Sequence, residues 1–190
     1  MQTKTIKTNN SFLQLKVGLR IEFLPDKPVI KVLDCCAGKN VIWTSIIKQT
    51  RRTIEVDGLD IKENTENNLK LDNNKTVQSL DLSVYDVIDC DVYGSPYKLM
   101  KNLFNNPSFD PGRTILFYTY ILIMQGQVDR TMLEDIGIPR KMAAAAPTMF
   151  RHFADIAFDN FLYHSGYTHK HSIEIDGKKY GAILPKERKQ

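Results

Sequence analysis

Three apolar runs that each close on acidic residues constrain this chain more than any other feature. The first is Val32-Leu33-Asp34-Cys35-Cys36-Ala37-Gly38-Lys39-Asn40, a buried-strand pattern that ends at Asp34 and passes into a glycine turn. A strand that feeds a glycine turn and then a helix is a nucleotide-binding arrangement, because the turn lets backbone approach a ligand. The second run is Val56-Asp57-Gly58-Leu59-Asp60 and the third is Tyr85-Asp86-Val87-Ile88-Asp89-Cys90-Asp91-Val92-Tyr93-Gly94-Ser95-Pro96-Tyr97. In an open parallel sheet, ligands sit beyond the carboxyl ends of the strands, so three acidic strand ends in order imply one ligand cleft.

The rest of the chain fits such a sheet. Its 190 residues are 42% hydrophobic and 25% charged, which suits one domain over 1–190 with a core of its own, an N-terminal extension over 1–27 and a basic tail over 186–190. Val29 to Asp34 reads as the first strand and Val41 to Lys48 as the helix after the glycine turn. Thr53 to Asp60 is the second strand. After the polar run Lys62 to Asn67, Asn68 to Leu71 is a short third strand ending at Asp72. Thr76 to Leu80 is the alternative third strand, but it leaves too few residues for a crossover to the next one, so Lys75 to Leu80 reads better as a short helix. Tyr85 to Asp91 is the fourth strand, Leu99 to Phe104 a short helix and Arg113 to Ile121 the fifth strand. Strands alternating with helices indicate a parallel α/β sheet.

The ends of the chain read differently. Residues 12 to 23 satisfy two periods at once: Leu13, Leu15, Val17, Leu19, Ile21 and Phe23 alternate as a strand, while Phe12, Leu15, Leu19 and Phe23 form a helical stripe. Pro147 suits a first helical turn, Phe150, Phe153, Ala157 and Phe161 make an apolar stripe, and Gly166 is a stop signal. Tyr167 to Ile175 and Lys179 to Leu184 are strand-like, and Asp176-Gly177 between them favours a tight hairpin turn. The sheet therefore closes with an antiparallel pair.

Charge and cysteine usage exclude some classes. Against 22 acidic residues stand 26 basic ones, a net of +4, so this is no strongly basic nucleic-acid coat, although an anionic partner is compatible. Lys4, Lys7 and Lys16 near one end, and Lys178, Lys179, Lys186, Arg188 and Lys189 near the other, read as solvated tails. Cys35, Cys36 and Cys90 lack CxxC spacing and read as small buried residues in a reducing compartment. The apolar run Ile115 to Met124 is too short to span a bilayer and the polar N-terminus has no secretory pattern, so a cytoplasmic protein without membrane contact is expected. His169 and His171 share a strand face but have no ligand partners at metal spacing, and no metal site is expected. Ser95 lacks the G-x-S-x-G context and Ser165-His164 forms no triad, which sets hydrolase chemistry aside.

Gly38 and Asp60 each have an ordinary reading, a tight turn and a helix cap; their order along the chain favours a ligand role. The arrangement from about Pro28 to Pro185 resembles the class I S-adenosylmethionine-dependent methyltransferases, and Asp89-Cys90-Asp91-Val92-Tyr93-Gly94-Ser95-Pro96 is similar to the D-P-F/Y-G-S-P motif of tRNA guanine-N2 dimethyltransferases and of small phage-type methyltransferase-like proteins. The resemblance implies a Rossmann-like fold, mostly parallel, with helices on both faces and a C-terminal antiparallel hairpin. It implies S-adenosylmethionine as cofactor, with Asp34, Ala37 and Gly38 at its methionine end, Asp60 at the ribose and Asp72 at the adenine. It further implies a base of tRNA or DNA as methyl acceptor, faced by Asp91, Tyr93, Ser95, Pro96 and Tyr97, with Asp91 holding or deprotonating an amino group and Tyr93 or Tyr97 stacking on the base.

Two positions depart from that pattern: Asn40 stands where the second glycine is usual, and Val92 replaces the proline after the acid. They leave open a binding protein that keeps the fold without the catalysis. A nicotinamide-dependent oxidoreductase is disfavoured by the absence of G-x-G-x-x-G.

Overall fold

The structure, a computed structural model, describes residues 12–60, 68–121, 129–146, 149–167 and 169–185. Expectations for residues 1–10, the polar run Lys62 to Asn67, Pro147 and the basic residues Lys186, Arg188 and Lys189 lie outside the described residues.

Among the described residues, seven strands form one sheet in the order β3-β2-β1-β4-β5-β7-β6. They are β1 (Val29–Asp34), β2 (Thr53–Asp60), β3 (Asn68–Lys70), β4 (Val87–Cys90), β5 (Ile115–Ile121), β6 (His169–Ile175) and β7 (Lys178–Leu184). β1 to β5 run parallel, while β7 enters antiparallel between β5 and β6. Between β6 and β7, Asp176 and Gly177 adopt φ of 52° and 69°. Two successive positive φ values make the tight turn whose twist matches paired strands, and Asp-Gly is a sequence that tolerates them. The hairpin is thus as expected.

Period-2 alternation sends each parallel strand's side chains to two apolar layers. On one face Ile30, Val32, Val87 and Phe117 pack with Val17, Leu19 and Leu24 of the helix α1 (Leu13–Glu22) and its exit, and with Trp43 and Ile46 of α2 (Val41–Gln49). On the other face Leu33, Ile88, Leu116 and Tyr118 pack beneath α3 (Asn73–Ser79), α4 (Tyr97–Phe104), α5 (Arg130–Asp135), α6 (Arg140–Ala145) and α7 (Arg151–His164). Helices on both faces of a mostly parallel sheet are the expected Rossmann-like architecture. Tyr118 pairs across the strands with Gly181, where a Cβ would come within 2.2 Å of the tyrosine ring. Glycine there lets the ring lie flat on β7.

The structure resolves one segment that the sequence left open and corrects one reading. The double period over residues 12 to 23 resolves as helix α1, because Lys16, Val17, Leu19 and Arg20 must all face the sheet while Gly18 faces solvent. The solvated-tail reading fails for three lysines: Lys16 is buried, Lys178 lines a cleft, and Lys179 lies within 3.5 Å of Asp155 and 4.0 Å of Asp159. The short helices α5 and α6 have no apolar stripe long enough to announce them. Asp129 caps the first, accepting from Thr131 N and Met132 N, and Pro139 opens the second. No helix among the described residues is long and apolar enough to cross a membrane.

Candidate functional site

The strand order reverses at β1 and β4, whose carboxyl ends lie side by side with Asp34 opposite Asp89. From Asp34 the chain turns through a loop tied to both neighbours. Cys35 N donates to Asp89 O at 2.9 Å, and Ala37 N donates to Leu59 O at 3.1 Å. Gly38 N donates to the Asp60 Oδ2 carboxylate oxygen at 3.0 Å, and Asn40 N closes the turn on Ala37 O at 2.7 Å. Gly38 has φ 49° and Asn40 φ 56°, so both take left-handed backbone. Asparagine tolerates that region better than most residues, and the turn forms with Asn40 in place of a second glycine.

Beyond β4, Val92 N donates to Cys90 O, and Gly94, at φ 123°, lets the loop double back so that its carbonyl accepts from Ile121 N at 3.0 Å. Between these two loops opens a cleft of about 130 Å³. Asp34, Gly38, Asp91 and Thr119 line its inner part, with Lys39, Tyr93 and Lys178 among its other walls.

Asp34, Asp89 and Asp91 all face α1, since alternate residues of a strand share a face. Arg20 and Lys16 of α1 meet two of them. Arg20 Nε and Nη2 donate to Asp89 Oδ2 and Oδ1, each at 2.6 Å, and Trp43 Nε1 adds a third bond to Oδ2 at 3.0 Å. Lys16 Nζ donates to both oxygens of Asp91, at 2.9 and 2.7 Å, and Thr119 Oγ1 also donates to Oδ1. Burial pushes the Asp91 carboxyl up, but the Arg20 and Lys16 cations and the bonds from Lys16 and Thr119 outweigh it and hold it below the usual carboxylate range. Asp34 has the opposite fate. Burial, with the Asp89 and Asp91 charges adding to it, drives its carboxyl well above that range against the bond from Cys36 N and the Arg20 charge.

The cleft brings together Asp34, Ala37, Gly38, Asp91 and Tyr93 of the ten site residues expected from sequence. Asp60 stands behind the loop, on Gly38. Asp72 caps α3, accepting from Asn74 N at 3.0 Å, and it is the next residue, Asn73, that reaches the first loop, donating to Cys35 O at 2.9 Å. Ser95 Oγ accepts from Tyr97 N and the Pro96 carbonyl from Met100 N, so both residues build the start of α4 rather than a cleft wall. Tyr97 as a stacking residue is corrected: α4 turns it into the opposite apolar layer, where its ring packs edge-on to Phe161 and its hydroxyl donates to Asp135 at 2.6 Å. Tyr93 is the aromatic at the mouth, 67% exposed.

Sequence reasoning missed Lys16, Thr119, Lys178 and Tyr180. Lys16 and Arg20 four apart on an apolar helix face were the available signal; Thr119 within a buried strand gave none.

Among solved structures, the chain is similar to a ribosomal protein L11 methylase from Lactobacillus delbrueckii subsp. bulgaricus, with 14% identity and a TM-score of 0.53 over 94% of this chain and 81% of that one. It is likewise similar to CalO1, a methyltransferase in calicheamicin biosynthesis in its SAH-bound form, with 9% identity and a TM-score of 0.52 over 93% of this chain and 54% of that one. A possible exported protein from Bordetella parapertussis shares 10% identity and a TM-score of 0.56 over 93% and 68% of the two chains. The fold is that of the S-adenosylmethionine-dependent methyltransferases. No protein-family model matches the chain. No curated protein matches it in sequence.

Proposed function

We propose that this protein is an S-adenosylmethionine-dependent methyltransferase that acts on a nitrogen of a tRNA or DNA base. The observation that carries the reading is the convergence of Asp34, Gly38 and Asp91 on one cleft at the point where the strand order reverses, where this architecture binds ligands. The residues fit the cofactor. Asp34 is a buried carboxyl that no cation bonds directly among the described residues, suited to a ligand that brings positive charge, and a Cβ at Gly38 would meet Asp60 Oδ2 only at 4.0 Å, so backbone there can approach a ligand closely. Bound there, the cofactor supplies an electrophilic sulfonium methyl. The protein's task is then alignment, which can supply much of the rate.

Asp91 orients an amino group of the acceptor, and the exposed ring of Tyr93 offers a face for a base. Lys39 and Lys178 add positive charge around the cleft for a phosphate-bearing acceptor. The free thiols Cys35, Cys36 and Cys90 fit a reducing compartment such as the cytoplasm.

A non-catalytic binding protein of the same fold is the second reading, favoured by the ties that already occupy Asp91. Calorimetry with S-adenosylhomocysteine, followed by transfer of labelled methyl from S-adenosylmethionine to bulk tRNA and to DNA, separates the two. Failure to bind S-adenosylhomocysteine sinks the cofactor assignment. Binding without transfer to either polymer favours the second reading.

A further inference from the structure

An ionised carboxylate offers roughly four lone-pair sites for hydrogen bonds. On Asp91, Lys16 takes one on each oxygen and Thr119 takes the second on Oδ1, which among the described residues leaves one on Oδ2. The side chains of Lys16 and Asp91 are only 11% and 13% exposed, so the pair is a built feature of the cleft and not a mobile surface contact. Its position is set from outside the cleft. The backbone of α1 is pinned one turn further on by Arg20, which bonds Asp89 and also donates to Lys16 O at 3.1 Å. The Lys16 ammonium additionally lies 5.6 Å from the centre of the Tyr180 ring.

We propose that Lys16 is a positioning residue for the methyl acceptor: with Thr119 it fixes the Asp91 carboxylate so that one site, on Oδ2, receives a single N–H of the incoming amine. This rests on the methyltransferase reading. A carboxylate neutralised in this way is a poor base, so Asp91 holds the N–H while the nitrogen lone pair attacks the methyl carbon. The C–S bond breaks as the N–C bond forms, its electron pair goes to sulfur, and after transfer the methylated nitrogen gives its extra proton to solvent water. The acceptor class that fits is an exocyclic amino nitrogen, which keeps an N–H for Asp91 while its lone pair turns toward the methyl.

Among the described residues, the charged and titratable groups around Asp91 are Lys16 and Arg20 from α1, Asp34 and Cys36 from the β1 end, Asp89 of β4 and Tyr180 from β7, with Lys39, Tyr93 and Lys178 lining the same cleft. Against that background, Lys16→Met removes the cation that, among the described residues, bonds the carboxylate.

The test compares wild type, Lys16→Met, Lys16→Arg and Thr119→Val. Two readouts are taken: the pH titration of the Asp91 carboxyl carbon by NMR, and methyl transfer to bulk tRNA and DNA as a function of pH. Lys16→Met should titrate at higher pH, shift the acidic limb of the rate profile upward and lower kcat about tenfold or more, equivalent to about 1.4 kcal/mol of barrier. Lys16→Arg should restore most of the loss, and Thr119→Val should show a smaller shift of the same sign. If neither Lys16→Met nor Thr119→Val moves the Asp91 titration, the proposal is overturned, whatever the activity. If the titration moves but wild type methylates neither polymer, the clamp on Asp91 is supported and the nucleic-acid methyltransferase reading alone fails.

Discussion

Arg20 and Asp89 form a bidentate ion pair with both side chains only 1% exposed, joining α1 to the floor of the sheet. The match is one of spacing. Four residues of helix advance about 6 Å and two residues of strand about 6.6 Å, so Lys16 and Arg20 align with Asp91 and Asp89.

Removing one partner of this pair should be costly, because it strands a charge in an apolar layer. Asp89→Asn or Arg20→Met is expected to lower stability by about 3 to 5 kcal/mol, and replacement of both by apolar residues of similar volume should recover much of it. Urea unfolding of the two single variants and the double variant measures this. A loss below about 1 kcal/mol in both singles, the scale of a surface ion pair, would show that the pair is solvated.

Asp34 predicts a conflict between stability and binding. Its carboxyl sits well above the usual range, with burial as the chief cause. The folded state therefore holds the proton more tightly than the unfolded state, so this contribution is fully present below the unfolded carboxylate pKa of about 3.9 and is lost as pH rises through the folded value. Asp34→Asn should accordingly raise the melting temperature at neutral pH, with the difference shrinking toward pH 4, while weakening affinity for S-adenosylhomocysteine. Thermal melts across pH and calorimetry check both arms.

Asp60 holds the glycine loop through Gly38 N. Asp60→Ala should weaken S-adenosylhomocysteine binding by about tenfold or more, the scale of a lost charge-assisted hydrogen bond, with little change in unfolding. Unchanged affinity in calorimetry would leave Asp60 as a support of the loop alone.

Gly181→Ala places a methyl 2.2 Å from the Tyr118 ring. Overpacking of this kind costs about 1 to 3 kcal/mol, and Tyr118→Leu in the same chain should relieve part of it. Denaturant melts of the single and double variants give the coupling directly.

The sheet was largely legible in the sequence because its signals are local: β1 and β2 announce themselves by apolar runs, and Asp176-Gly177 by turn chemistry. The loop after β1 was legible for the same reason. The clamp on Asp91 was not, since Lys16 and Thr119 reach it from distant parts of the chain and a lysine near a terminus ordinarily reads as solvated. Tyr97 was misread because it follows a strand-end loop, where aromatics often face a ligand. Only the rotation of α4, set by Ser95 and Pro96 at its start, sends that ring to the other layer.

The antiparallel entry of β7 between β5 and β6 has a kinetic consequence. Tyr180 and Lys178 come to the cleft only when β7 has paired with β5, and Lys16 meets Tyr180 across nearly the whole described chain. Closing contacts of such long sequence separation costs loop entropy and slows folding. A nascent chain still lacking β7 would already carry the glycine loop and both acids of β4, yet would present them on a sheet with an open edge at β5. The wall of the cleft that carries Lys178 and Tyr180 is thus completed only when β7 pairs with β5, whereas the glycine loop is built from β1 and its parallel neighbours.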